Sequence, residues 1–317
     1  ISARPSASNP IKLPLVKPRV VNFKLLPNGL NVSFENNSEY VEFDVEPIYL
    51  AGTEKIDKII GTWIWDEENV NGTGTVKRAI ATSTHTIYTV LDVPQLPWYD
   101  QGRENTRPWV KALDYTIKGG PKTENLAQPA AVMNQLTQFD FTINDMEYDT
   151  VTCQANFVKG AATQADPTPS LTGLVLDFNR FIDFSQDAIV NCQDCSASIN
   201  TMAALVGVAT VYVVMKPYGV PSGFMKQSDL IGWGQANHPM FFSPTFSPRQ
   251  IWVLGDPKPR SAWNNHAFVM QNNEVYCATV GPYISAVLGN YINGVCENPP
   301  PPAPQLFRQG NVFLRDQ

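Results

Sequence analysis

Hydrophobic and polar positions change rhythm about one third of the way along the chain. Up to residue 90 they alternate in short runs: Val20–Leu26, Leu30–Phe34, Tyr40–Leu50, Lys58–Trp65, Thr75–Ala81 and Thr84–Val90. Turn residues separate them, at Pro27-Asn28-Gly29, at Asn36-Asn37-Ser38 and in the polar stretch Asp66–Gly74. Alternation of period two puts one face of each run inward. Several such runs at this spacing predict a β-sandwich or a strongly twisted sheet. Residues 1–20, rich in Pro and Ser, read as an extended lead-in.

After Pro94–Thr106, which reads as a linker or long loop, helical spacing begins. Thr106 is placed to cap, Pro108 sits in the first turn, and Trp109, Leu113 and Ile117 recur every fourth residue. Gly119-Gly120-Pro121 ends that helix, and a second is expected over Leu126–Phe139. A loop region follows at Asn144–Gly160, then a Pro-rich excursion at Ala161–Thr172 and a helical turn at Asp177–Phe184. Ser196–Gly207 reads as an apolar helix and Ala209–Met215 as a strand. Residues 216–248 read as an irregular connection, followed by strands at Ile251–Leu254, Ala267–Met270 and Glu274–Thr279. Asn298–Pro304 reads as a polyproline spacer. Helices first and antiparallel strands after predict an α+β fold. The expected domains are 1–105 (sandwich-like), 106–297 (carrying any chemistry) and a tail, 298–317.

Composition narrows the function classes. Of 317 residues, 43% are hydrophobic, enough for a core, and only 16% are charged. The net charge is −6, and no Lys/Arg cluster exceeds a pair. That argues against a nucleic-acid partner. No apolar run approaches the ~18 residues of a membrane span. No P-loop, dinucleotide fingerprint or G-x-S-x-G elbow is present, so no cofactor is expected. Asp66–Gly72 is rich in oxygen ligands but lacks EF-hand spacing, and reads as a solvated hairpin tip. Five cysteines form at most two disulfides. The start at Ile1-Ser2-Ala3 reads as a mature or trimmed chain. Low charge and Pro-rich ends slightly favour a secreted or extracytoplasmic setting.

The chemistry concentrates at Asn191-Cys192-Gln193-Asp194-Cys195, at the mouth of the helix that ends at Gly207. Partial positive charge at a helix N-terminus favours a thiolate. His266, on the strand-like Trp263–Val269, is the matching base. His85, in a Thr-rich strand, and His238, beside a proline, are poorer candidates. The spacing of Cys192 and Cys195 also admits a disulfide, a redox pair, or a metal site with Cys277 and His266.

The stretch from Asn191 to Val208 resembles the signature of transglutaminase-like proteins, a branch of the papain-like cysteine superfamily. It carries the Cys, the Asp two residues on, an Ala/Leu-rich helix, and Gly207-Val208 fifteen residues past Cys192. Trp263–Thr279 is similar to the family's histidine strand and the strand after it. Pro108–Leu113 and Tyr148-Asp149 resemble the elements before the core. The likeness spans about residues 105–295. It implies acyl transfer through a Cys192 thioester on protein or peptide substrates, with Trp263, Asn191, Cys195 and Cys277 lining the cleft. The family's orienting Asp falls at Cys277 here. Glu274, Asp194 or Asp256 are the candidate substitutes. Without one, the chain reads as a weakened relative serving as a binding or structural module, its β domain taking a carbohydrate or protein ligand.

Overall fold

The computed structural model describes residues 2–3, 16–21, 41–42, 56–71, 74–98, 108–119, 129–143, 145–160, 174–184, 188–216, 226, 228–236, 265–296, 305–309 and 313–314. The fold is α+β. The chain divides into two compact units, Ile1–Thr89 and Val90–Gln317.

In the first unit, β1 (Val16–Val21), β2 (Asp57–Asn71) and β3 (Gly74–Thr89) form an antiparallel sheet with β2 in the middle. β-branched and aromatic residues, among them Trp63, Ile64, Trp65, Thr82, Thr84 and Thr86, suit this pleated pairing. The ladder runs from Asp57↔Thr89 to Asn71↔Gly74, with a register shift at Trp65/Asp66. Two expectations are corrected. Thr75–Ala81 and Thr84–Val90 belong to one long strand, and the polar stretch Asp66–Asn71 is strand rather than turn. Register wins over polarity there, because the partner strand supplies a ladder out to Gly74. His85 sits in this ladder opposite Gly61. Ser2–Ala3 pairs separately with Val41–Glu42. The expected strand Leu30–Phe34 and most of Tyr40–Leu50 lie outside the described residues.

The second unit is built round one helix. Its helices are α1 (Val110–Gly119), α2 (Pro129–Gln138), α3 (Phe178–Phe184) and α4 (Cys192–Leu205). α2 starts on proline, whose missing N–H costs nothing at a first turn, and runs on into a π-helical turn, Phe139–Ile143. Every residue of α4 is buried. A wholly buried helix must satisfy its polar side chains internally. Ser196 Oγ donates to Cys192 O (2.6 Å), Asn200 Nδ2 to Thr210 Oγ1 (2.8 Å), and Ser198 Oγ to the Asp140 carboxylate.

The sheet beside α4 is antiparallel. Its strands are β4 (Val211–Lys216), β5 (His266–Gln271), β6 (Glu274–Cys277), β7 (Tyr283–Val287) and β8 (Gln305–Gln309). They lie in the order β7-β6-β5-β4-β8. Asn272 and Asn273, both with positive φ (50° and 66°), join β5 to β6 where Gln271 pairs with Glu274. Asn tolerates the left-handed region that a two-residue hairpin demands. α5 (Leu288–Val295) follows β7 and packs on β6 and β7.

Three boundaries differ from the sequence expectation. The division falls at Thr89, not at residue 105. Leu91 and Asp92 N–H both donate to Val206 O, Gln95 N–H donates to Ala204 O, and Trp98 Nε1 donates to Thr201 O (2.7 Å). The segment 90–98 thus closes the C-terminal end of α4, and Trp98 is buried edge-on against Trp109. The first helix starts at Val110, after Pro108, and the expected Thr106 cap lies outside the described residues. The expected spacer is followed by structure: Gln305–Gln309 completes the sheet beside β4, and Phe313–Leu314 pairs in parallel with Val175–Leu176.

Gly207 ends α4 as expected, at φ +87°. Gly207 N–H reaches Ala204 O and Val208 N–H reaches Ala203 O, the paired bonds of a Schellman closure. A Cβ at Gly207 would stand 2.4 Å from Asp92 O. Gly207→Ala is therefore expected to lower stability by at least about 2 kcal/mol, from left-handed strain and the clash together. Urea unfolding checks this, and a loss below a few tenths would show that the 90–98 segment gives way freely.

Candidate functional site

The start of α4 is fixed from three directions. Glu147–Tyr148 pairs in parallel with Ile189–Val190, which leads directly into Asn191. Asn191 is the N-cap: its Oδ1 accepts from Gln193 N (2.8 Å) and Asp194 N (3.1 Å), and its Nδ2 donates to Cys153 O. Asp194 closes the reciprocal half of a capping box, accepting from Asn191 N (3.1 Å). Its carboxylate also takes N–H groups from Asn156 (2.9 Å), Phe157 (2.8 Å) and Val158 (3.1 Å).

Cys192 is therefore the first residue of α4, with 3% of its surface exposed. Burial pushes its thiol up to about 12, against the pull of the Ala267 N–H that lies at the sulfur. The expected low thiol pKa is not what this geometry produces. A helix N-terminus and one N–H cannot replace the water that burial removes.

His266 opens β5, opposite Met215, and is fully buried. Burial lowers its imidazole to about 3, so it is neutral at physiological pH. Its Nε2 lies 2.8 Å from Tyr291 Oη and 3.4 Å from Cys277 Sγ. Cys277 sits where the sequence placed it, on the strand after the histidine and against the ring. Cys277 and Cys192 also feel one another electrostatically. Cys277 thus meets His266 directly, while Cys192 reaches the histidine strand through the Ala267 N–H, where α4 packs on β5.

The candidate acids do not join them. Glu274 accepts from Tyr276 Oη (3.0 Å), on the face of β6 opposite Cys277. Alternation along the strand keeps the two apart. Asp194 is committed to four backbone N–H groups, so it braces the loop and the helix start. Burial raises it to about 6, leaving it ionised at neutral pH. Asp256, Trp263 and His238 lie outside the described residues.

Cys195 lies one turn along α4, buried, with Thr279 and Asp140 around it. All five cysteines are free thiols, so the disulfide considered for the Cys192/Cys195 pair is not formed. Among the described residues, no group of three or more His, Cys, Asp or Glu side chains is placed to share a metal ion.

Sequence reasoning passed over several neighbours. Cys153 lies within electrostatic reach of Cys192, as does Tyr148, which the sequence marked only as an element before the core. Gln193 approaches Asn265 Oδ1 and the Tyr212 hydroxyl, both at 3.4 Å. Tyr291, from α5, had no local signal at all: only the folding of α5 over β6 brings it to the histidine.

Neutral burial of His266 has a measurable consequence. The folded state resists a proton that the unfolded chain takes up below its ordinary value of 6.5. Stability contributed by the neutral ring is present above 6.5 and is lost as pH falls from there towards 3. Each pH unit in that window costs up to about 1.4 kcal/mol. Wild type should lose urea resistance between pH 6.5 and 4.5 more steeply than His266→Gln. Equal slopes would mean that the ring reaches water.

Comparison with known proteins matches the chain to no family model, no curated protein and no solved structure.

Proposed function

We propose that the chain is a cysteine-dependent acyl-transfer protein of transglutaminase-like type, acting on carboxamide or peptide carbonyls. Cys192 is the nucleophile and His266 the base. One observation carries this reading: the first residue of a buried helix is a cysteine whose sulfur meets the N–H of Ala267, the residue that follows a buried histidine in the chain. Packing of α4 on β5 fixes the helix start against the histidine strand. The thiol proton passes to the imidazole as sulfur attacks the carbonyl carbon. The Asn191 side chain already takes the Gln193 and Asp194 N–H groups, which leaves that of Cys192 on the sulfur side to meet the oxyanion. The imidazolium returns its proton to the departing ammonia or amine, leaving a thioester. Water then hydrolyses the thioester, or an amine takes the acyl group. As it stands the sulfur is closed off, so a substrate reaches it only when neighbouring chain moves.

A second reading is favoured by the neutral state of both groups and by the phenol and thiol, rather than a carboxylate, at His266 Nε2. In it the chain is a catalytically weakened papain-like module. Its sandwich-like first unit binds a carbohydrate or protein ligand.

One experiment separates them. The full chain is incubated with casein, as a carboxamide donor, and a biotinylated primary amine. Ammonia release and biotin incorporation are measured for wild type, Cys192→Ala and His266→Ala. The enzyme reading expects release in wild type and none in either variant. Wild-type release no greater than that of Cys192→Ala would overturn it and leave the binding module.

A further inference from the structure

We propose that Tyr291, backed by Cys277, is the positioning pair for His266, holding the imidazole as its Nε2–H tautomer in the role that a carboxylate would otherwise fill. The inference rests on the acyl-transfer reading for its purpose, though not for its geometry. Three polar atoms meet here: His266 Nε2, Tyr291 Oη at 2.8 Å from it, and Cys277 Sγ at 3.4 Å. The hydroxyl also bonds the Cys277 sulfur. A phenol has one proton to give, and its direction follows from what surrounds the sulfur. Backbone N–H groups of Val280 and Thr279 both point at Cys277 Sγ. Burial keeps Cys277 a thiol, and the Thr279 side chain beside it offers the S–H an acceptor, so the sulfur's lone pairs face these N–H groups and the Tyr291 O–H. With that proton spent on sulfur, the oxygen offers Nε2 only a lone pair, and Nε2 must carry hydrogen.

The order is then His266 Nε2–H to Tyr291 Oη–H to Cys277 Sγ. Neighbouring bonds polarised in one direction strengthen each other. Fixing hydrogen on Nε2 assigns Nδ1 as the nitrogen that takes the Cys192 proton. When it does, the positive ring faces an oxygen whose own proton leans towards sulfur. The support is weaker than a carboxylate's because no full charge faces the imidazolium. Packing fixes the phenol: Tyr291 is buried, its ring 5.0 Å from both Phe268 and Tyr283. A Phe at 291 keeps that packing and removes only the oxygen.

The decisive measurement is the tautomer of His266, read by two-bond ¹⁵N–¹H correlation on histidine-labelled full-length protein at pH 7.5. The chain has three histidines, and His266→Gln identifies the signal. Wild type is expected as Nε2–H. Tyr291→Phe and Cys277→Ala are expected to add a substantial Nδ1–H population. In the ammonia-release assay, Tyr291→Phe is expected to lower kcat by about 10²-fold with KM unchanged. An Nδ1–H tautomer in wild type overturns the proposal, and so does a tautomer that neither variant changes. The spectrum does not depend on turnover. An Nε2–H ring without activity would sink the acyl-transfer reading alone, while activity with an Nδ1–H ring would sink the positioning pair alone.

Discussion

Asp194→Ala is expected to remove about 3–5 kcal/mol of stability, the largest loss from any single side chain at the start of α4. The carboxylate accepts from Asn156, Phe157, Val158 and Asn191 N–H groups, all within 3.1 Å. It is fully buried, so water cannot replace it at those donors. A buried donor left unmade costs about 1–3 kcal/mol, and four share one acceptor group here, so their losses do not simply add. Asp194 also sits in the first turn of α4, where a negative charge is favoured by the helix ends. Asp194→Asn keeps the shape but turns an NH₂ group towards N–H donors, and should recover less than half of the loss. Urea unfolding at pH 7.5, above the carboxyl's value of about 6, measures both variants with the wild-type group ionised. A loss under about 1 kcal/mol in Asp194→Ala would mean that the Asn156–Val158 loop simply detaches, and that the carboxylate does not hold the helix start.

This role was written in the sequence and could be misread. Asn191 followed three residues later by Asp194 is a capping-box spacing, which predicts a structural carboxylate at a helix N-terminus. Proximity to Cys192 suggested an acid for the histidine instead. The two expectations differ in where they send the side chain, and the helix start sends it to backbone N–H groups. The helix of Cys192, its closure at Gly207 and the strand of His266 were legible because each rests on local chemistry: a cap, a positive φ, an alternating apolar run. Glu274 was legible in the same way, since period two along β6 keeps it away from Cys277.

What was not legible depends on tertiary assembly. Tyr291 reaches His266 only because α5 folds back over β6, and no spacing in Leu288–Val295 announces it. Gln305–Gln309 follows a proline run that reads as a spacer, yet an open edge of β4 recruits it as a strand. Pro94–Trp98 carries every mark of a linker. The free carbonyls at the end of α4 turn it into a closure, because a buried helix terminus must find donors somewhere.

Cys192→Ala is expected to abolish ammonia release, by about 10⁴-fold or more, while changing stability little. The two effects separate because the proposed acyl transfer gives the sulfur covalent work. On that proposal the thioester forms at Cys192, so removing the sulfur deletes the path rather than weakening it; in triad enzymes, loss of the nucleophile alone costs as much as loss of the whole set. Its structural share is small by comparison. The Asn191–Asp194 capping box needs only the backbone of residue 192, and alanine is a good helix former. Cys192→Ser tests the chemistry more closely. It keeps the volume but places a hydroxyl, a far weaker nucleophile, in a site where the proposed base is an imidazole held neutral by burial. The serine variant should therefore fold, unfold near the wild-type urea midpoint, and remain as inactive as alanine. Residual turnover in Cys192→Ala above about 1% of wild type would place the nucleophile elsewhere. Cys195, one turn along the same helix and equally buried, would be the first thiol to replace in turn.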